Sequence, residues 1–178
     1  MDKFEIITSP NPILRKKSKK VDALDAETKE TIKTMIGALN ASKIEGLAIA
    51  APQIGTNKRI VVVRVRETRD EDGRITQKGI PLSVYINPEI TKFSKEKSVS
   101  EEGCLSCPGL YGPVARAKKI KFEAMDQRGK ETKMNAAGLL ARIVQHEVDH
   151  LDGILFIDKL TDKKKLRKIG ANAEDTEK

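Results

Sequence analysis

The chain contains two histidines, and both fall in one string, His146-Glu147-Val148-Asp149-His150. On an α-helix, positions i and i+4 lie one turn apart on the same face. Two imidazoles so placed converge on one metal ion, and the glutamate between them is placed to act as a general base. Two neutral imidazoles fill half of a tetrahedral shell, and hydrolysis needs a third protein ligand with one position left to water. The nearest soft donors are the only two cysteines, Cys104 and Cys107. If both bind, the shell closes and the metal is structural; if one binds, the site can hydrolyse a substrate. If neither binds, an acidic residue must serve, and Glu174, Asp175 and Glu177 lie in a tail that reads as disordered. An extended Cys104-Leu105-Ser106 sends Cys104 and Cys107 to opposite faces, which makes a single cysteine ligand the simpler geometry. Glu147 points the same way, because a structural site has no use for a carboxylate beside its metal. The residues by themselves still leave open a small zinc-stabilised binding domain, a zincin-like peptidase and a non-catalytic basic factor.

The elements that must position these residues follow from composition and period. With 178 residues, 38% of them hydrophobic, the chain suits one domain with a real core. Its apolar runs are too short to cross a bilayer, and the charged start Met1-Asp2-Lys3-Phe4-Glu5 lacks the apolar centre of a signal peptide, so the expected location is cytoplasmic. A formal charge of +8 favours encounter with polyanions, yet aromatics are only 3% and do not interleave with basic residues, which argues against sequence-specific nucleic-acid binding. Residues 25–40 read as an amphipathic helix near the N-terminus, with Asp25 as N-cap. The small apolar run at 46–55 should be buried, with backbone open to close approach. Strands are expected at 59–66, through Val84-Tyr85-Ile86 as far as Asn87-Pro88, near 98–105, and at 119–125, with a loop or hairpin tip at 67–79. Leu139, Leu140, Ile143, Val144 and Val148 then set a helical period that carries the two histidines, Gly153 ends it, and residues 154–157 return as a short strand. The class is α+β, with mostly antiparallel sheets around a central metal-binding helix.

Three motifs in one order identify a resemblance. Gly46-Leu47-Ala48-Ile49-Ala50-Ala51-Pro52-Gln53, then Glu102-Gly103-Cys104-Leu105-Ser106, then Gln145-His146-Glu147-Val148-Asp149-His150-Leu151 together resemble the peptide deformylases, which remove the N-formyl group from the initiator methionine of new polypeptides. The similarity runs from about Ser9 to Leu160. The resemblance implies that residues 1–160 form one catalytic domain and that 161–178 are a basic, then acidic tail, helical or disordered. It implies one divalent ion held by Cys104, His146 and His150 with water in the fourth position: ferrous iron in the cell, with zinc, nickel or cobalt able to substitute. Glu147 would be general base and acid, and the Gln53 side-chain amide and Leu105 backbone N–H would stabilise the oxyanion. Leu47, Ala48, Gly103, Leu139 and Ile143 would bind an N-formylmethionyl nascent peptide as an added strand with its methionine in an apolar slot, with Arg142 and Glu102 nearer the rim. Glu102 and Arg116 are expected to pair and orient the Cys104 strand. Two positions depart from the family pattern: Ala48 replaces a glycine, and Cys107 replaces an apolar residue and is read first as a small buried hydrophobe, with a redox partner for Cys104 or a fourth metal ligand as the alternatives. The basic run Lys163-Lys164-Lys165-Leu166-Arg167-Lys168 is a candidate ribosome contact.

Overall fold

The computed structural model describes residues 5–41 and 48–169. It is an α+β fold with two α-helices, α1 (Ala26–Ala41) and α2 (Gly138–Leu151). Its strands are β1 (Ala48–Ala50), β2 (Ile60–Val65), β3 (Thr68–Arg69), β4 (Ile75–Gln77), β5 (Ile80–Phe93), β6 (Lys97–Cys104), β7 (Cys107–Ala117), β8 (Lys119–Met125), β9 (Glu131–Ala137) and β10 (Arg167–Lys168). They form a five-stranded sheet in the order β1-β2-β5-β8-β9, a three-stranded sheet β10-β7-β6 and the hairpin β3-β4, and each of these pairings is antiparallel.

The layering follows from the β-branched run in β2. Successive side chains of a strand point to opposite faces. Ile60 and Val62 therefore join Ile32, Met35 and Leu39 of α1, while Val61, Val63 and Val65 join Ala141, Ile143 and Val144 of α2. Both faces of the five-stranded sheet are thus covered, one helix to each. The first turn of α1 is capped by Asp25, whose Oδ1 accepts from the Thr28 N–H at 2.7 Å. A third cluster of Leu14, Cys107, Val114, Leu155 and Phe156 packs beneath the smaller sheet.

Several local expectations are revised. The strand through Val84-Tyr85-Ile86 does not stop at Asn87-Pro88 but continues to Phe93 through a register shift between Ile86 and Glu89. Asn87 takes φ of 52° there, and its side chain bonds both the N–H and the carbonyl of Val21 at 2.8 Å, so a turn-type residue serves as a bulge that anchors the N-terminal segment. Strands β7 and β9 were not anticipated; β7 carries four glycine or proline residues after Cys107 that disguise its pattern. Residues 154–157 do not return as a strand: Phe156–Asp158 is a 3-10 helix, because Asp158 caps the Leu155 N–H and pairs with Arg15. The segment after Leu160 is described as far as Ile169. A short 3-10 helix, Lys163–Lys165, leads into β10, which pairs with Tyr111 and Leu110. Residues 170–178 lie outside the described residues.

Gly153 ends α2 with φ of 76°, and a Cβ there would lie 2.5 Å from the Arg15 carbonyl oxygen. Gly73, at the β3-β4 tip, has a similar φ of 77° with nothing within 4 Å. Gly73→Ala should therefore cost only the left-handed penalty of about 1–2 kcal/mol, and Gly153→Ala clearly more, because backbone must move. Chemical denaturation of the two variants checks this, and equal losses would remove the Arg15 contact from the account.

Candidate active site

Three donors meet where the two sheets approach each other. Strand β6 ends at Cys104, and Leu105-Ser106 forms the turn into β7. Helix α2 brings His146 and His150 onto one face, with ring centroids 5.0 Å apart. Ligand atoms of Cys104, His146 and His150 all lie within 4.8 Å of one another, and the Cys104 Sγ is 3.1 Å from His150 Nε2. The expectation of an extended Cys104-Leu105-Ser106 is incorrect. Cys104 and Cys107 are direct cross-strand partners around the two-residue turn, so their side chains share a face. The Cys107 thiol nevertheless sits among Leu14, Val114, Leu155 and Phe156, and the three-donor cluster is formed without it.

Glu102 organises this cluster. It is not at the rim: it is only 7% exposed. Its carboxylate accepts four charge-assisted bonds, from Arg116 Nε (3.0 Å) and Nη2 (2.9 Å), Arg142 Nη1 (2.6 Å) and His146 Nδ1 (2.9 Å). Burial opposes the charge, but the hydrogen bonds from His146 and Arg116 outweigh it and hold Glu102 at about 2. A carboxylate on Nδ1–H leaves the His146 Nε2 lone pair for a metal. Burial opposes the charge on both imidazoles; it pushes His150 well below its ordinary value, which leaves it neutral, whereas the carboxylates of Glu102 and Glu147 hold His146 above its own, and a bound cation would displace that proton. The Cys107 thiol and burial push the Cys104 thiol up, and a bound cation is what converts such a thiol to thiolate. This donor set, two imidazoles and one sulfur with the tautomer of His146 fixed, fits a divalent ion.

Contacts that local reading missed hold these groups in place. Arg116 also bonds Asp149, the fourth residue of the histidine string. The Gln145 amide ties α2 to Ala117 of β7 through both its N–H and its carbonyl, at 3.0 Å each. The ring of Phe156 lies nearly parallel to that of His146 with centroids 6.5 Å apart. Asp149 and Gln145 stand beside the histidines in the sequence, so their proximity was available as a signal; for Phe156 there was none.

The remaining candidates line a cleft of about 390 Å³. Ala48, Gln53, Glu102, Gly103, Leu105, Leu139, Arg142, Ile143 and Glu147 all border it, while Arg116 lies behind Glu102 and Leu47 falls outside the described residues. Gln53 Oε1 accepts from the Ala50 N–H at 2.8 Å, which turns its amide nitrogen toward Ser106 Oγ (3.2 Å) and Cys104 Sγ (3.6 Å). Leu139 and Ile143 also belong to the α2 core cluster, so core and cleft share one apolar face. Gly103 has no room for a side chain, since a Cβ would lie 2.6 Å from the Tyr111 ring.

Glu147 is buried, with Oε2 lacking any protein partner. Burial raises its pKa to about 7, near the optimum for a group that must take and return a proton. The folded-state pKa lies above the unfolded one, so ionisation weakens the fold as pH rises from 4.5 toward about 7. In chelator-treated protein, wild type should lose up to about 3 kcal/mol relative to Glu147→Gln across that window. Parallel pH–stability curves for the two proteins would contradict the burial argument.

Comparison with known proteins agrees with this geometry. Residues 3–166 match the family model described as Polypeptide deformylase. A peptide deformylase from Thermomicrobium roseum is 41% identical over 171 residues, covering 96% of this chain and 93% of the relative. The crystal structure of a Synechococcus elongatus peptide deformylase in complex with actinonin superposes with a TM-score of 0.79 at 32% identity, covering 93% and 84% of the two chains. The Thermotoga maritima peptide deformylase gives 0.76 at 33% identity, covering 91% and 100%. On the match of nearly its whole length, the chain belongs to the polypeptide deformylase family.

Proposed function

We propose that this chain is a metal-dependent amide hydrolase that removes the N-formyl group from N-formylmethionyl nascent peptides and releases formate. The observation that carries the reading is one cleft in which one sulfur and two imidazole donors, a buried unpartnered carboxylate and an oriented side-chain amide converge. Cys104, His146 and His150 would hold the divalent ion, ferrous iron in the cell, with zinc, nickel or cobalt as substitutes. Such an ion, when bound, acidifies water and polarises an amide carbonyl.

The chain's own residues supply the rest. Glu147 takes the proton of the attacking water and returns one to the departing amine. The Gln53 side-chain amide and the Leu105 backbone N–H donate to the formyl oxygen as negative charge grows on it. Leu139 and Ile143 line the methionine slot, with Ala48 and Gly103 flanking the peptide backbone. A methyl group at Ala48, where the family has glycine, narrows this segment and alters substrate fit without touching the reacting atoms. β1 and β6 are both sheet-edge strands bordering the cleft, and an extended peptide can pair with such edges whatever its side chains.

Among the described residues no helix is long and apolar enough to cross a membrane. The cytoplasm, where nascent chains emerge, is the location that suits this activity. The exposed Lys163, Lys164, Lys165 and Lys168 suit a salt-sensitive contact with the ribosome.

Purified protein loaded anaerobically with ferrous iron should release formate from formyl-Met-Ala-type peptides and leave the unformylated peptide intact. Glu147→Ala should lower kcat by about 10²–10⁴-fold, and Gln53→Ala by about 10²–10³-fold. Absence of formate with every divalent ion tried, or cleavage of unformylated peptide, would sink the proposal. Glu102→Gln, which cannot stay ionised between the two arginines, should weaken metal affinity by about 10–100-fold in a competitive chelator titration. Unchanged affinity would remove Glu102 from the metal centre.

A further inference from the structure

Strands β6 and β10 share a charged pair beside the cleft that the reaction itself does not use. Glu102 points to the α2 side, where it meets Arg142 and His146. Its neighbour Glu101 therefore points to the other face of the smaller sheet. Tyr111 is on that face too: it pairs in register with Gly103, and its ring fills the space where a Gly103 side chain would stand. Arg167 of β10 pairs in register with Tyr111 and reaches across β7 to form an ion pair with Glu101. The C-terminal strand thus delivers a cation to the cleft wall, since Glu101 and Tyr111 both border the cleft.

The alternation that separates Glu101 from Glu102 also applies to a bound peptide. A chain paired with β6 whose methionine enters the slot between Leu139 and Ile143 must present its next side chain to the opposite face. We propose that Glu101, Arg167 and Tyr111 form the subsite for the second residue of the formylmethionyl substrate, and that mutual neutralisation of Glu101 by Arg167 makes this subsite indifferent to charge. The inference rests on the deformylase reading and extends it. It predicts broad tolerance after methionine: a cationic side chain finds Glu101 already paired, an anionic one finds Arg167 already paired, and the Tyr111 ring offers contact to either.

The test is the ratio of kcat/KM for formyl-Met-Lys and formyl-Met-Glu peptides in wild type, Arg167→Gln, Glu101→Gln and the double variant. Wild type should give a ratio near one. Arg167→Gln unmasks Glu101 and should shift the ratio about three- to fivefold toward lysine; Glu101→Gln should shift it as far toward glutamate, with the change carried by KM. The double variant should return to the wild-type ratio, and salt at about 0.5 M should contract both single-variant shifts. Lys165→Gln removes one charge from the same segment outside the pair, and its ratio should match wild type. A ratio that is the same in all proteins, or a Lys165→Gln shift as large as that of Arg167→Gln, would overturn the subsite. Turnover of formyl-Met-Ala by wild type reports separately on the deformylase reading. Dissociation constants for the same two charged peptides, read by calorimetry, carry the same prediction whether or not turnover is seen.

Discussion

A single buried carboxylate is the constraint around which the rest of the molecule is arranged. Glu102 could not remain charged at 7% exposure without compensation, and it has four donors from three side chains on two different elements. Taking a charge out of water is costly, and only excellent geometry repays it. That geometry locks β6 to β7 through Arg116 and β6 to α2 through Arg142 and His146. Because Arg116 also holds Asp149, the same guanidinium grips α2 a second time, one residue before His150. The position of the Cys104, His146 and His150 donor cluster is therefore set by charge satisfaction as much as by apolar packing.

Packing supplies the platform on which that network rests. β2 is buried on both faces, so α1 and α2 cannot slide without exposing Ile60 and Val62 on one side or Val61 and Val63 on the other. The N-terminal segment laces the two halves of the site together. The Ile7 N–H donates to the Gln53 carbonyl and the Ser9 N–H to the Ser106 carbonyl, both at 2.8 Å. One segment thereby holds the short 3-10 helix Ala51–Ile54, which carries Gln53, and the turn after Cys104 in a common frame. The result is a cleft between two sheet edges, β1 and β6, with fixed polar groups at its closed end.

Cys107 illustrates how proximity and participation differ. It lies beside Cys104 across a two-residue turn, as near as antiparallel pairing allows. Its surroundings are the apolar cluster of Leu14, Val114, Leu155 and Phe156, where a small sulfur side chain packs as a hydrophobe. The donor cluster is completed from α2 instead.

What could be read from the sequence were the features that local chemistry dictates. The two histidines one helical turn apart, the glutamate between them, the Asp25 cap and the β-branched strand β2 each follow from period and residue type, because their causes lie within a few positions along the chain. Glu102 and Arg116 could be paired only through family resemblance. Tertiary structure alone decided the rest. The turn at Leu105-Ser106, the bulge at Asn87, the 3-10 helix at Phe156–Asp158 and the pairing of β10 with β7 each depend on partners far away in sequence: Val21 for Asn87, Arg15 for Asp158, Tyr111 for Arg167. Backbone groups and buried charges must be satisfied by whatever the fold brings near them, and no local pattern records which residue that will be. The sequence by itself thus determined which chemistry the site can hold, while the fold decided which side chains hold it in place and which face of β6 the charged pair occupies.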